Sequence, residues 1–128
     1  MARPQPRPTD AELAILRVLW ERGASTVRQV HETLAGTRET GYTTTLKLMQ
    51  IMADKGLVKR NETARTHVYS AVAGQEQTQR QLVQDLVDRA FGGSAAQLVL
   101  RALSAEGASD AELKEIRKLI DDYREKRS

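Results

Sequence analysis

The 128-residue sequence predicts a mainly α-helical fold carrying one small β-hairpin. Three observations lead there. Apolar residues recur at three- and four-residue spacing behind Thr9-x-x-Glu12, Thr26-x-x-Gln29 and Ser109-x-x-Glu112, the mark of capped amphipathic helices. Gly56 is followed at once by two short alternating runs joined by a charged turn, the pattern of a hairpin. From Gln75 onward only helical periodicity remains.

The elements follow in order. Thr9 with Glu12 opens a helix over about 10–22, with Leu13, Leu16, Leu19 and Trp20 inward and Gly23 closing it. Trp20 reads as a core anchor. Thr26 with Gln29 opens a short second helix over about 27–35, whose stripe is Val27, Val30 and Leu34. Gly36 is expected as its left-handed stop, and His31, off the stripe, is expected to face solvent. A polar loop from Gly36 to Gly41 leads to a third helix, which begins near Thr43 with Thr43 or Tyr42 at the cap and ends at Gly56. Leu48, Met49 and Met52, extended by Thr45 and Ala53, face inward. The other side offers Thr43, Thr44, Leu46, Lys47 and Gln50.

Leu57–Arg60 and Thr66–Tyr69 read as the two strands, and the turn Asn61–Arg65 between them is polar. Leu82, Val83, Leu86, Val87, Ala90 and Phe91 then form a wide stripe over about 76–91, broken by Gly92 and Gly93. Ser94 caps a helix with Leu98, Val99, Ala102 and Leu103 inward, ended by Gly107. Ser109 opens the last, with Leu113, Ile116, Leu119, Ile120 and Tyr123 on one face. These helices hold about 50 residues, thin for an independent core. Pairing with the same segment of a second chain buries their stripes, so they read as a dimerisation unit.

Composition narrows the function. There is no cysteine, so disulfides, thiolate metal sites and a cysteine nucleophile are excluded. No apolar run approaches the roughly 18 residues of a membrane span, and the start MARPQPRPT lacks a signal-peptide core, so no membrane insertion and a cytoplasmic location are expected. No carboxylate pair, histidine-based triad or phosphate-gripping glycine loop marks an enzyme. His31 and His67 have no partner at metal-ligand spacing, and neither a metal nor a cofactor is expected. One Trp, one Phe and three Tyr, most of them assigned to the interior, are too few for single-strand stacking.

The net charge of +3 is unevenly spread. Residues 1–75 carry 11 Lys/Arg against 7 Asp/Glu, a net of +4; residues 76–128 carry 9 against 10, a net of −1. Binding to phosphates with counterion release needs such an excess beside a reading head. Three hydroxyls in a row at the start of the third helix exceed what capping requires, and short hydroxyls approach phosphates and base edges closely. The chain therefore reads as a winged helix-turn-helix that places its third helix in the major groove of duplex DNA. Its parts are a disordered arm (1–8, with three prolines and two arginines between Arg3 and Pro8), a winged-helix domain (9–74) and a helical dimerisation domain (75–128). The rival reading is a winged helix used as a protein-interaction module, which exposes apolar side chains where a DNA reader exposes Lys47, Arg60 and Arg65. A third reading is a small-molecule-sensing repressor whose ligand sits between the reading head and the tail, though no motif in the sequence encodes such a pocket.

The runs TDAELAILRVLWERG, TVRQVHETL, GYTTTLKLMQIMADKGLVKR, VYSAV and FGGSAAQLVLRAL together resemble the penicillinase-repressor family, the BlaI/MecI/CopY regulators, from about Thr9 to Tyr123. The resemblance implies a homodimeric repressor on an inverted-repeat operator with TACA/TGTA-like half-sites. By position, the resemblance has Thr43, Thr44 and Lys47 facing the bases, Leu46 a thymine methyl, and Arg65 the backbone. Gln50, on the same side of the third helix, joins the base-facing set, and Arg28, Tyr42, Lys59 and Arg60 are expected with Arg65 on the backbone, where contacts position the protein rather than specify sequence. Dimerisation falls to Leu82, Leu86, Phe91, Leu98, Leu103, Ile116, Leu119, Ile120 and Tyr123.

The sequence departs from the family's pattern at several points. Ile51 stands where relatives often carry arginine, removing a DNA contact, and Lys47 stands where threonine is usual, altering the preferred half-site. Without cysteine, the copper-responsive branch is ruled out. In the antibiotic-resistance branch a membrane sensor triggers cleavage at an Asn-Phe pair in the helix after Gly93. Here Arg101-Ala102 occupies that place, so a sensor-protease signalling system is left open as a partner and the inducing signal does not carry over.

Overall fold

The structure is a computed structural model that describes residues 7–36, 40–63 and 65–127. Most of the expected N-terminal arm, and Thr37–Glu39 of the loop before the third helix, lie outside the described residues. The order is α1 (Asp10–Arg22), β1 (Ser25–Thr26), α2 (Val27–Leu34), α3 (Tyr42–Lys55), β2 (Val58–Asn61), β3 (Val68–Ala71), α4 (Gln75–Ala90), α5 (Ala95–Glu106) and α6 (Asp110–Arg127). The mainly helical class with a small β element is what the sequence predicts. The hairpin has a third member, however: β1 pairs with β3, Ser25 opposite Tyr69, giving an antiparallel sheet in the order β1-β3-β2. Two residues carry no readable alternation, and Thr26 already had a role as the α2 cap, so this strand was invisible in the sequence. The second strand of the hairpin also runs two residues later than expected, at Val68–Ala71 rather than Thr66–Tyr69.

Two compact units make up the chain, Met1–Leu82 and Val83–Ser128, dividing inside α4, whereas the sequence places the boundary between 74 and 75, just before that helix. The first unit is built around Ile15, Leu16, Val18, Leu19, Val27, Val30, Leu34, Met49, Met52, Leu57, Val58 and Tyr69, all buried. Each large side chain removed from water contributes about 1.5–3 kcal/mol, and these come from α1, α2, α3, both long strands and Leu57 in the turn between α3 and β2. The α1 stripe is wider than expected, since Ile15 and Val18 join Leu16 and Leu19 inside. Trp20 packs against this cluster half-buried, its indole Nε1 donating to the Ala73 carbonyl at 3.1 Å.

The capping signatures hold. Thr9 and Glu12 form a reciprocal box at α1, Thr26 and Gln29 another at α2, and Ser109 and Glu112 exchange bonds of the same kind at α6. Two cap expectations need correction. Gly36 is not a left-handed stop: α2 ends at Ala35 in right-handed conformation, and Gly36 has no positive φ. Neither Thr43 nor Tyr42 caps α3, whose N-cap is Gly41 with no side-chain bond, so Tyr42, Thr43 and Thr44 lie within the helix. At the other end Gly56 does adopt the left-handed conformation (φ +82°), its amide donating to Met52 and Ala53 before the chain turns into β2.

Glu12 has a further task. It is 1% exposed, and besides receiving the Thr9 amide its carboxylate accepts the Lys55 ammonium at 2.9 and 3.0 Å. Burial pushes its pKa up, but the Thr9 backbone bond and the Lys55 bond and charge together outweigh that, and the net shift is downward. The pair fastens the start of α1 to the last turn of α3.

The second unit contains the remainder of α4 with α5 and α6. Among its described residues only Val87 is buried. Leu98, Leu103, Ile116 and Phe91 are half-buried, while Leu86, Leu119, Ile120 and Tyr123 are exposed. Leu82, half-buried, falls in the first unit.

Candidate nucleic-acid interface

Burial of Thr45, Met49 and Met52 on one side of α3 fixes which side is free. The free side presents two adjacent stripes at four-residue spacing. Thr43, Lys47 and Ile51 are exposed along the crest, with exposed Thr44 beside them. Tyr42, Leu46 and Gln50 form the second stripe and line one wall of a groove of about 640 Å³. The opposite walls come from Thr26, Val27 and Arg28 at the start of α2 and from Arg60, Arg65, Thr66, His67 and Tyr69 of the hairpin. Three guanidinium groups thus converge on a concave surface beside the hydroxyl-bearing crest, which suits a polyanion.

Six of the ten residues assigned to DNA lie around that groove: Arg28, Tyr42, Leu46, Gln50, Arg60 and Arg65. Thr43, Thr44 and Lys47 stand on the crest outside it. Leu46 is half-buried and packed against the core, so it belongs to the groove wall and not to the fully open face. Lys59 lines a different groove, with Gln50, Asp54, Arg60, Glu62 and Val72. Arg60 borders both.

The wing is internally paired. Asn61 Oδ1 accepts from the Thr63 amide (3.0 Å) and hydroxyl (2.8 Å), a local turn that sets the tip. The Arg60 guanidinium meets Glu62 Oε1 at 2.9 Å, and Glu62 lies 4.0 Å from His67 Nε2. A hydrogen bond with the Tyr69 side chain, and then the charge of Glu62, raise the Arg60 pKa further. Glu62 was not singled out in the sequence, yet it stands against the one basic run that the wing offers.

At the start of α3, Arg28 lies over the Tyr42 ring, 5.5 Å from its centre. His31 departs from expectation. It is half-buried, its ring perpendicular to that of Tyr42 at 5.8 Å, because residue 31 lies one turn along from Arg28 and on the side of α2 that meets α3. Tyr42 and Tyr123 are themselves exposed, so the assignment of most aromatics to the interior holds only for Tyr69 and, half-buried, for Trp20 and Phe91. Arg101 and Ala102 sit in the middle of α5, both exposed. Among the described residues no cluster of His, Asp or Glu could hold a metal, and no helix is long and apolar enough to cross a membrane.

The model of the penicillinase repressor family matches residues 8–122. The transcriptional regulator BlaI of Mycobacterium tuberculosis is 34% identical over 105 residues, covering 80% of this chain and 76% of that protein. Among solved structures, the DNA-binding domain of the repressor BlaI superposes with a TM-score of 0.51 at 22% identity, covering 58% of this chain and 90% of that one. Bacillus licheniformis BlaI, in monomeric form in complex with the blaP half-operator, gives the same TM-score at 21% identity, covering 59% and 92%. At these identities the solved structures establish the winged-helix fold of the first unit.

Proposed function

The chain belongs to the penicillinase repressor family of transcriptional regulators, and from that premise we propose that it represses transcription as a homodimer on an inverted-repeat operator with TACA/TGTA-like half-sites. Each protomer lays α3 in a major groove, and the two grooves lie one helical turn, about 34 Å, apart. Thr43, Thr44, Lys47 and Gln50 meet base edges, Leu46 meets a thymine methyl, and Arg28, Lys59, Arg60 and Arg65 hold the backbone, with Tyr42 beside Arg28 on the backbone side of the groove.

The observation that carries this reading is the exposed crest of α3 beside a groove lined by three arginines. It favours DNA over a protein-interaction module, since Lys47, Arg60 and Arg65 are all exposed there. A relative of the same fold has been solved on a half-operator. Dimerisation is supported by the second unit, whose helices leave Leu86, Leu119, Ile120 and Tyr123 open to solvent. Losing the dimer releases DNA, because a single head forfeits the effective concentration of the second half-site. Cleavage in α5 near Arg101–Ala102 is one route to that loss.

Selection of bound fragments from the source genome with purified protein tests the proposal. The expected result is one enriched inverted repeat, which identifies operator and regulated genes together. Enrichment of no symmetric sequence over input DNA would end it.

A further inference from the structure

We propose that Tyr42 serves DNA binding through the face of its ring, as a positioning residue that holds the Arg28 guanidinium toward the groove, rather than through its hydroxyl. The inference deepens the operator-binding reading and rests on it. Arg28 is the second residue of α2 and Tyr42 the first of α3, so their meeting ties the two helices together where the reading helix begins. The guanidinium carbon lies 5.5 Å from the ring centre, within the roughly 6 Å at which a ring's quadrupole holds a cation. His31, one turn along α2, sets its ring perpendicular to the same tyrosine at 5.8 Å. The tyrosine is therefore gripped from α2 at two points.

The consequence concerns entropy. An exposed arginine surrenders its rotamer freedom when it meets a phosphate. A platform that fixes the guanidinium beforehand moves that cost from binding into folding. The platform is well sited, since Arg28 and Tyr42 line the same groove as Arg60 and Arg65. Tyr42 also shares its stripe with Leu46 and Gln50, so the ring is in register with the reading face.

Tyr42→Phe keeps the ring and removes the hydroxyl; Tyr42→Ala removes both. Fluorescence anisotropy of the full chain on the selected operator duplex, over a salt series, separates the two contributions. The Phe variant is expected to match the parent protein in affinity and salt slope. The Ala variant loses about three- to tenfold in affinity at an unchanged salt slope, since Arg28 still reaches its phosphate, whereas Arg28→Ala lowers the slope by about one phosphate contact. The double variant Arg28→Ala/Tyr42→Ala is no weaker than Arg28→Ala alone. A purely structural tyrosine would instead add its loss to that of Arg28→Ala. If Tyr42→Ala fails to fold, Tyr42→Leu replaces it. A Phe variant as weak as Ala, or losses that add in the double variant, would overturn the inference while leaving operator binding intact. No salt-dependent binding by the parent protein would overturn both.

Discussion

The two units of this protein display equally regular apolar stripes and bury them to very different extents. In the first, Ile15, Val30, Met49 and Met52 reach complete burial, because α1, α2, α3 and the sheet present their stripes to one another within one chain. In the second, α6 buries no residue, and Leu119 and Tyr123 are 61% and 64% exposed. Periodicity shows which face of a helix seeks cover but not which chain supplies it. An exposed apolar stripe of this extent suits an interaction surface, and under the proposed homodimer a second copy of the same unit covers it.

The sharpest way to break that contrast is a charge in the second unit. Leu119→Glu is expected to yield monomers by sedimentation velocity and to weaken operator binding by about a hundredfold through lost bivalency. Persistent dimers would show that the interface lies elsewhere. Next in size is a cavity in the first unit. Ile15→Ala or Met49→Ala is expected to cost about 2–5 kcal/mol in chemical denaturation. That loss should not depend on protein concentration, whereas the stability of the second unit should rise with it.

Smaller effects resolve the reading face. Lys47→Ala is expected to cost about 1–3 kcal/mol on the best operator and to relax base preference there. Arg65→Ala should weaken all sequences about equally and flatten the salt slope; a changed sequence preference at unchanged affinity would contradict its backbone role. The least effect on binding, though not on stability, comes from Glu12→Gln, expected to cost about 1–3 kcal/mol by leaving Lys55 and the Thr9 amide poorly matched. The folded-state pKa of Glu12 is depressed below its ordinary 4.5. Its contribution is thus complete above that value and is lost as pH falls through the folded pKa, so the stability gap between parent and variant should narrow in acid.

Much of this was legible in the sequence, for identifiable reasons. The capping boxes at Thr9, Thr26 and Ser109 fixed helix starts, because a side-chain cap needs particular residues at a particular spacing. Gly56 fixed the end of α3, because the left-handed conformation there suits glycine. The start of α3 was misread for the complementary reason: Gly41 caps it without a side chain, and the nearby threonines imitated a cap. The exposed set Thr43, Thr44, Lys47 and Gln50 followed from helical phase alone. Contacts across elements were beyond reach. Nothing local announces that Glu12 meets Lys55, that Arg60 is held by Glu62, or that His31 packs half-buried against Tyr42.

The most direct test of a DNA-reading α3 is residue-by-residue NMR of the labelled protein as the operator duplex is added. Backbone and side-chain signals of Arg28, Tyr42–Gln50 and Lys59–His67 should shift together and saturate at one half-site per protomer, while the α1 signals stay still. Perturbation confined to the second unit, with Thr43, Thr44 and Lys47 unmoved, would contradict it.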